Sequence, residues 1–333
     1  MLVLGIESSC DDTAAAVLEI EASGRPVVRS SVVANQDRIH ATYGGVVPEL
    51  ASREHILGIL PSIEMALGEA ACELRDISGI AVTRGPGLVG SLLVGLMCAK
   101  GLAQRINLPM VGVNHLEGHI LAPMLEHTIA FPFLALVVSG GHTALYLVEN
   151  IGRYNRLGRT RDDAAGEAFD KVAKLMGLGY PGGKVIDQLS QRGNPKKLRL
   201  PRARVKHAPL DFSFSGIKTA VALHLQDNGA SIAANDLAAS FQEAVVDMLL
   251  RPTLEAAREH NVDTIALTGG VAANTRLRAR LDEAARSEGR KLVAPSFKYC
   301  TDNAAMIALA GSYRLLRGER DSLGIDAEAN LPL

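Results

Sequence analysis

The chain has 333 residues, more than one ordinary domain, and 47% of them are hydrophobic, which is enough for sizeable cores. The net charge of −1 excludes a global field that attracts nucleic acid, so any basic surface must be local. Four separated cysteines without a C-x-x-C pair indicate a reducing compartment and argue against a zinc ribbon.

Aromatic residues make up only 4% of the chain and there is no tryptophan, so a sheet-borne aromatic platform for RNA bases is not expected. The first residues lack a basic region and soon turn polar, which predicts a strand and not a signal peptide. We find no apolar run that approaches the roughly 18 residues of a membrane span. These features predict a cytoplasmic protein without a membrane segment.

The chain opens with a predicted hairpin, formed by strands over residues 2–7 and 13–19. Its polar tip, residues 8–12, can hold phosphate or a hydrated cation, or it can be an ordinary polar turn. Further strands are predicted over 26–34 and 77–83, and Pro48 suits the start of a helix over 49–67. A helix over 91–104 is apolar nearly all round, so it is either fully buried or part of a partner surface.

Two histidines follow the apolar strand predicted over residues 109–113. Asn114 is a good N-cap, and on the helix after it His115 and His119 lie four residues apart, about 40° round the axis. Both rings therefore point the same way and can hold a transition metal. A zinc protease is disfavoured because Glu117, the only nearby carboxylate, points away from both rings. The pair can also be two surface histidines, and a metal site needs a third ligand from elsewhere.

The second half repeats the plan of the first. A strand over 133–138, a small polar tip and a strand over 144–148 echo the opening hairpin, and the strand, loop and helix that begin at Ile80 resemble those that begin at Ile265. The predicted halves are 1–128, with the histidines, and 129–333, with an inserted helical region at about 150–235. Two such α/β halves suggest a nucleotide cleft between domains, as in actin, heat-shock chaperones and sugar kinases.

Within the insertion, residues 166–171 predict the start of a helix and residues 180–184 a glycine turn. Residues 192–206 hold seven basic side chains and no acid, which is typical of a solvated loop but is also the best local candidate for contact with a phosphate backbone. Residues 236–259 predict a long helix that is broken near Pro252.

Two polar segments precede the last helices. Residues 268–274 form a glycine loop before a helix over 275–287; its amides can meet an anion and Asn274 a ribose or base, although a plain turn fits as well. Asp302 precedes a helix over 304–316. It is a natural helix cap, and it also matches the missing third metal ligand.

Seven motifs, in order along the chain, carry a resemblance to a known family. They are 7–13 (Glu-Ser-Ser-Cys-Asp-Asp-Thr), 44–53 (Gly-Gly-Val-Val-Pro-Glu-Leu-Ala-Ser-Arg), 115–119 (His-Leu-Glu-Gly-His), 138–143 (Val-Ser-Gly-Gly-His-Thr), 166–171 (Gly-Glu-Ala-Phe-Asp-Lys), 212–216 (Phe-Ser-Phe-Ser-Gly) and 269–274 (Gly-Gly-Val-Ala-Ala-Asn). On these residues the chain resembles the universal tRNA threonylcarbamoyladenosine transferase family, formerly mislabelled as a sialoglycoprotein endopeptidase, and its bacterial members most closely.

The resemblance implies a two-domain actin-like (ribonuclease H-like) ATPase fold, with one iron(II) or zinc ion held by His115, His119 and Asp302. It implies transfer of a threonylcarbamoyl group from threonylcarbamoyl-AMP to the exocyclic amine of the adenosine beside the anticodon, in tRNAs that read codons beginning with A, with release of AMP. The implied contacts of the adenylate are Val137, Val138, Ser139, Gly140, Gly141, Asp170, Gly183, Asp187 and Asn274.

The implied partners are tRNA, a smaller paralogue without the metal site, and a small P-loop ATPase. One departure from the family pattern is Asp12, where many relatives have glutamate, so the charge is kept but its reach is shorter.

The chemistry also needs a proton acceptor, because an adenine amine is a poor nucleophile. We expect Asp11 at the hairpin tip to act as base or to position the amine, with Asp12 secondary. Asp11 can instead cap the turn or order water at the metal. Two other functions are a kinase or ATPase of this fold and a non-catalytic scaffold. The metal triad disfavours both, because a scaffold has no use for it and such kinases bind hydrated magnesium through carboxylates.

Overall fold

The computed structural model describes residues 1–228 and 232–333, and these contain two five-stranded sheets. The first sheet consists of β1 (Leu2–Glu7), β2 (Asp12–Ile20), β3 (Pro26–Asn35), β4 (Gly79–Gly85) and β5 (Met110–Asn114). The second consists of β6 (Phe133–Val138), β7 (Thr143–Asn150), β8 (Arg153–Arg159), β9 (Thr264–Thr268) and β10 (Lys291–Val293).

The two sheets have the same topology. The first has the order β3-β2-β1-β4-β5, and the second, written from its other edge, has the order β8-β7-β6-β9-β10. In each, three antiparallel strands connected in sequence are followed by two parallel ones. The α/β class and the duplicated plan predicted from the sequence are thus confirmed.

Helices cover the sheets, and most predicted helices lie where expected. They are α1 (Asp37–Ala41), α2 (Pro48–Glu69), α3 (Val89–Ile106), α4 (His115–Leu121), α5 (Ala165–Leu175), α6 (Gly182–Ser190), α7 (Ser215–Asn228), α8 (Ala234–Glu259), α9 (Thr275–Ser287) and α10 (Ala304–Leu316). Pro48 starts α2, and the Asn114 side chain caps α4 by accepting the Leu116 N–H, as predicted.

The chain divides into two compact units, Met1–His127 with Asp302–Leu333, and Thr128–Thr301. This division differs from the predicted halves in the carboxyl-terminal segment, because α10 packs on β1, β4 and β5 of the first sheet. Gly5 on β1 permits that packing, since a Cβ there would overlap the carbonyl oxygen of Ala304. The region predicted as an insertion starts with β8, an edge strand of the second sheet, and residues 229–231 of it lie outside the described residues.

Two local predictions were wrong. The long helix does not break at Pro252, because α8 is buried along its length and tertiary packing outweighs one missing N–H. The glycines at 182 and 183 do not form a turn but begin α6. A Cβ on Gly182 would lie 2.5 Å from the Ala173 Cβ, so a glycine is needed where α6 starts against α5.

The apolar helix α3 also differs from expectation. It has 18 residues and a mean hydropathy of 1.2, so by length and composition alone it could cross a membrane. This differs from the prediction that the chain has no apolar run of that length. One such helix is weak evidence, because core helices pass the same test. Here Leu92 and Leu96 are fully buried in the core, whereas Val89, Leu93 and Met97 form an exposed stripe.

Candidate metal centre and ligand-binding residues

A group of polar residues in the first unit lies at the carboxyl edge of its sheet. Strands β1, β4 and β5 run parallel, so their carboxyl ends lie at one edge. Glu7 ends β1, and His115 begins α4 directly after β5. Asp302 lies two residues before α10, which packs against α4 as well as the sheet. Residues that are far apart in sequence meet here because each stands at the end of an element.

His115, His119 and Asp302 form a cluster whose candidate ligand atoms all lie within 4.8 Å of one another. Asp302 Oδ1 is 3.1 Å from His119 Nε2 and 3.5 Å from His115 Nε2. Both histidines are buried, and their ring centroids are 4.6 Å apart. Two imidazoles and one carboxylate are a donor set that suits iron(II) or zinc, so this cluster could hold a metal ion.

Asp302 is available to the histidines because it does not cap α10. The Asn303 side chain accepts the Met306 N–H at 3.0 Å and is the cap. Gly118 lets α4 approach α10, since a Cβ at this position would lie 2.8 Å from Ile307 Cδ1. The capping role considered for Asp302 is therefore wrong, and its carboxylate faces the two imidazoles.

Glu7 is a site residue that the sequence analysis missed as such. Its carboxylate is fully buried and accepts hydrogen bonds from Ser9 N (2.5 Å) and Thr83 Oγ1 (2.6 Å), and lies 3.0 Å from His115 Nδ1. If Nδ1 donates to Glu7, the Nε2 atom of His115 is left to face Asp302. The signal in the sequence was a glutamate that ends an otherwise apolar strand, a position where an unpaired charge would be costly.

The pKa values of the cluster follow from this pairing. Burial alone would lower the pKa of His115, but the carboxylates of Asp302 and Glu7 raise it well above its usual range. Burial alone would raise the pKa of Asp302, but His115 and His119 hold it well below its usual range. The pKa of Glu7 is likewise lowered, because His115 and the hydroxyl of Thr83 outweigh burial. The two carboxylates and the His115 imidazole thus stabilise one another's charged forms.

The β1–β2 tip beside this cluster carries Asp11 and Asp12. Burial and the nearby Asp302 raise the pKa of Asp11, although the Cys10 thiol donates to its carboxylate and opposes the rise. Burial, Asp302 and Asp11 raise the pKa of Asp12 to about 8, against a hydrogen bond from Asn35. Both carboxylates are therefore easier to protonate than usual, which suits proton transfer.

The tip is held from α2 by a histidine that the sequence analysis did not single out. His55 is fully buried, and its Nε2 donates to the Cys10 carbonyl at 3.0 Å while the Thr13 hydroxyl lies 2.7 Å from Nδ1. Burial lowers the pKa of His55, in keeping with this neutral tautomer. Ser91 on α3 also donates to the Cys10 carbonyl, at 3.2 Å. The backbone next to Asp11 is thus fixed by two helices.

In the second unit, the turn after β6 forms an exposed backbone loop. Ser139 N donates to the His142 carbonyl at 2.7 Å, which closes the turn around Gly140 and Gly141. Both glycines are exposed, and a Cβ on either would meet no atom within 4 Å. Gly166 at the start of α5 packs directly beneath, where a Cβ would contact the Ser139 carbonyl. A ligand can therefore approach these amides closely. Val137 and Val138 end the buried strand β6, so their side chains belong to the core.

The other residues expected to bind the adenylate lie on α5, α6 and before α9 of the same unit. Asp170 Oδ1 accepts the Gly182 N–H at 2.8 Å, and Asp187 accepts the Thr275 hydroxyl at 3.0 Å. Asn274 caps α9 through its Oδ1 atom, and its Nδ2 donates to Gln242 at 2.7 Å. Gly183 has no neighbour closer to a Cβ than 4.0 Å. These contacts join the three helices, and each polar atom of the Asn274 amide already makes one hydrogen bond.

The basic run 192–206 is an irregular segment that acids of α8 partly neutralise. Arg202 Nε lies 2.7 Å from Asp247, and Arg204 lies 3.0 Å from Glu255. Five further basic side chains are exposed and make no ion pair within the described residues: Arg192, Lys196, Lys197, Arg199 and Lys206. The run is therefore less basic than its composition suggests.

Sequence comparisons identify close relatives over the whole chain. Residues 27–309 match the model of the family described as "TsaD: tRNA N6-adenosine threonylcarbamoyltransferase". Proteins named tRNA N6-adenosine threonylcarbamoyltransferase from Syntrophotalea carbinolica and Syntrophus aciditrophicus are each 54% identical, over all of this chain and 97% and 98% of their own lengths.

Solved structures extend the likeness to the fold. Full-length HypF in its phosphate- and nucleotide-bound form superposes with a TM-score of 0.62 at 13% identity, over 93% of this chain and 54% of HypF. Component A of (R)-2-hydroxyglutaryl-CoA dehydratase from Acidaminococcus fermentans gives a TM-score of 0.56 at 16% identity, over 95% and 99%. At such identities the likeness concerns the fold alone, and it agrees with the predicted actin-like ATPase fold.

Proposed function

The chain belongs to the tRNA N6-adenosine threonylcarbamoyltransferase family, and from that premise we propose how its residues perform the transfer. It is a tRNA-modifying transferase. The threonylcarbamoyl group passes from threonylcarbamoyl-AMP to the exocyclic amine of the adenosine beside the anticodon, in tRNAs that read codons beginning with A. The observation that supports a metal-dependent enzyme over a scaffold is the buried His115–His119–Asp302 cluster.

His115, His119 and Asp302 would hold one divalent transition metal ion per subunit, with iron(II) as first choice and zinc as the alternative. Glu7 would orient the ligand histidine His115, because a carboxylate that accepts the Nδ1 proton leaves Nε2 unprotonated and able to bind the ion. When bound, the ion would supply a Lewis acid that stabilises negative charge on a phosphate or carbamoyl oxygen.

The adenylate would bind to the carboxyl edge of the second sheet. The exposed backbone at Gly140 and Gly141, where no atom lies within 4 Å of a built Cβ, suits the phosphate. Asp187 uses part of its acceptor capacity on Thr275, and its remaining lone pairs can accept ribose hydroxyls. Val137, Val138 and Asn274 would contribute mainly through backbone and shape, since their side chains are buried or engaged. Ser139, Asp170 and Gly183 complete the proposed ligand-binding set.

Asp11 would accept the proton in the transfer step. The adenine nitrogen forms a bond to the carbamoyl carbon, the bond from that carbon to the phosphate oxygen breaks, and the proton of the amine passes to Asp11 as AMP leaves. The raised pKa of Asp11 favours this role. Asp12, held by Asn35, would be secondary.

Further proposals concern partners and location. The exposed apolar side chains of α2 (Ile56, Leu57, Leu60) and of α3 (Val89, Leu93, Met97) suit the metal-free paralogue, and a small P-loop ATPase would join that complex. The site of action would be the cytoplasm, where tRNA and the adenylate meet.

The test is a reconstitution with tRNA, threonylcarbamoyl-AMP and the metal-loaded protein, with and without the two partner proteins, followed by nucleoside mass spectrometry. We expect product only with tRNAs that read codons beginning with A. Asp11→Asn should lower the transfer rate by about 10²- to 10⁴-fold with little change in adenylate affinity. Failure of every mixture to modify tRNA would reject the function, and a parallel loss of rate and affinity would make Asp11 a binding residue.

A further inference from the structure

The segment after β10 exposes an aromatic ring in a protein that has few. Phe297 begins a short 3-10 helix (Phe297–Tyr299), and its side chain is 60% exposed. Among the described residues only Tyr43, at 58%, is another aromatic side chain exposed by more than half. A ring that stays exposed gives up the stabilisation that burial of a large apolar group provides. Such a ring indicates a contact surface when it is also held in place.

Arg278 of α9 holds the ring. Its guanidinium carbon lies 4.7 Å from the centroid of Phe297, in cation–π geometry. The guanidinium is itself anchored, because it donates to the carbonyls of Ala272 and Pro295, at 2.5 and 2.7 Å, and contacts Cys300 Sγ at 2.8 Å. Since Arg278 lies over one face of the ring, the exposed area falls on the other face and the edges. The ring is therefore presented as a fixed, open aromatic face.

Lys298, the next residue in the chain, carries a positive charge. Its side chain is exposed, its Nζ lies 4.4 Å from the ring centroid of Tyr299, and it makes no ion pair with any residue in 1–228 or 232–333. An exposed aromatic ring and a neighbouring lysine without a carboxylate partner among the described residues are the combination that single-stranded nucleic acid binds, through base stacking and a phosphate contact.

The position of the pair also fits. Strands β6, β9 and β10 run parallel, so Phe297 emerges at the same edge of the second sheet as the turn with Gly140 and Gly141 and the loop before Asn274. Arg278 connects the loop before Asn274 to the loop after β10, because it donates hydrogen bonds to the carbonyls of Ala272 and Pro295. Along the chain, Phe297 precedes the metal-cluster residue Asp302 by only five positions.

We infer that Phe297 and Lys298 form a platform for one unpaired nucleotide of the substrate tRNA, with the base stacked on Phe297 and its phosphate at Lys298. This rests on the proposed function, in which the acceptor adenosine lies in a single-stranded loop whose bases can be splayed onto aromatic side chains. The low aromatic content argues against an aromatic platform on a sheet. It does not exclude this one, which lies on the loop after a strand.

The experiment compares the tRNA dissociation constants of Phe297→Leu, Phe297→Trp, Lys298→Gln and the wild type in the same partner-complemented mixture, at several salt concentrations. Phe297→Leu keeps an apolar side chain but removes the stacking face, and we expect it to weaken binding about 5- to 150-fold. Phe297→Trp should bind at least as well as the wild type. Lys298→Gln should reduce the slope of log affinity against log salt by about one.

The matched control is Tyr43→Leu, which removes an equally exposed aromatic ring far along the chain and should leave tRNA affinity unchanged. Adenylate affinity and metal content should be unchanged in all variants. A Phe297→Leu protein that binds and modifies tRNA like the wild type would overturn the inference while the proposed function stands. Loss of a partner protein with tRNA affinity intact would also overturn it. A wild type that neither binds nor modifies tRNA would reject the proposed function itself.

Discussion

Replacing the buried Glu7 with glutamine should weaken metal binding without removing any ligand. The carboxylate accepts from Ser9 N and Thr83 Oγ1 and faces His115 Nδ1. Glutamine has the same shape, but one end of its side chain becomes an NH₂ donor. That donor must face either the Ser9 N–H or Nδ1 of His115. In the second case the imidazole proton moves to Nε2, the atom that faces Asp302, and His115 can no longer coordinate.

The expected magnitude comes from the kind of contact that is lost. A carboxylate that orients a ligand histidine typically contributes about 10- to 100-fold to metal affinity. The dissociation constant should therefore rise by about that factor in Glu7→Gln, equivalent to about 1.4–2.8 kcal/mol. His115→Ala, which deletes a ligand outright, should abolish measurable binding and transfer.

The assay is a competition titration of Zn²⁺ between the protein and a chromophoric chelator, with a thermal melt to confirm folding. Glu64→Gln is the matched control, because Glu64 is exposed on α2. The Zn²⁺ affinity of this variant should equal that of the wild type. An unchanged affinity in Glu7→Gln would refute the role assigned to Glu7. A variant whose melt shows no folded protein would be replaced by Thr83→Ala, which removes one donor to Glu7 and should weaken binding by less.

Three further predictions test other parts of the molecule. Glutamine at four of the five exposed basic positions that form no ion pair with a described residue, Arg192, Lys196, Lys197 and Arg199, should weaken tRNA binding and reduce its salt dependence, whereas Arg202→Gln, whose partner is Asp247, should have a smaller effect; equal effects would mean that the segment is structural. Leu57→Glu and Leu93→Glu should each prevent complex formation with the metal-free paralogue in gel filtration at unchanged metal content, and intact complexes would place the partner elsewhere. The pKa of Asp12 is raised to about 8 in the folded protein, above its value of about 4 in the unfolded chain, so the folded state binds the proton more tightly. The stability that this proton contributes to folding is complete below about pH 4 and is lost as pH rises through 8. Asp12→Asn should therefore gain stability over metal-free wild type between these values, and urea unfolding at pH 5 and 8 that shows no widening gap would contradict this.

Much of the fold could be predicted because the apolar runs and glycine loops are local signals. The duplicated order of strands followed from two similar hairpins and two similar strand–loop–helix segments. The errors came from tertiary packing. Pro252 is tolerated inside α8 because the surrounding helix is buried, and α10 returns to the first sheet because its apolar face packs there. Neither is readable from a local window of sequence.

The relative position of the two histidines in the candidate site was predictable, because spacing alone sets it. His115 and His119 share a helix, so their four-residue separation fixes their relation. Glu7 was not identified as a site residue, because its role depends on the register of β1, β4 and β5, which brings it beside Thr83 and His115. The anchored ring of Phe297 was likewise invisible, since only the packing of α9 on the loop after β10 places Arg278 over it.

The proposed third metal ligand, Asp302, shows most clearly where reasoning from sequence stops. Asp302 and Asn303 are adjacent, and both residue types are good N-caps, so either could start α10. If Asp302 were the cap, its carboxylate would be bound to the amides of the first helical turn and unavailable to the histidines. The structure assigns the cap to Asn303, whose backbone is extended and whose side chain accepts the Met306 N–H. That choice depends on how closely α10 can approach β1, and Gly5 allows Ala304 to lie directly against the strand. The carboxylate is thus freed for a metal by a close contact between two distant segments, which no local pattern encodes.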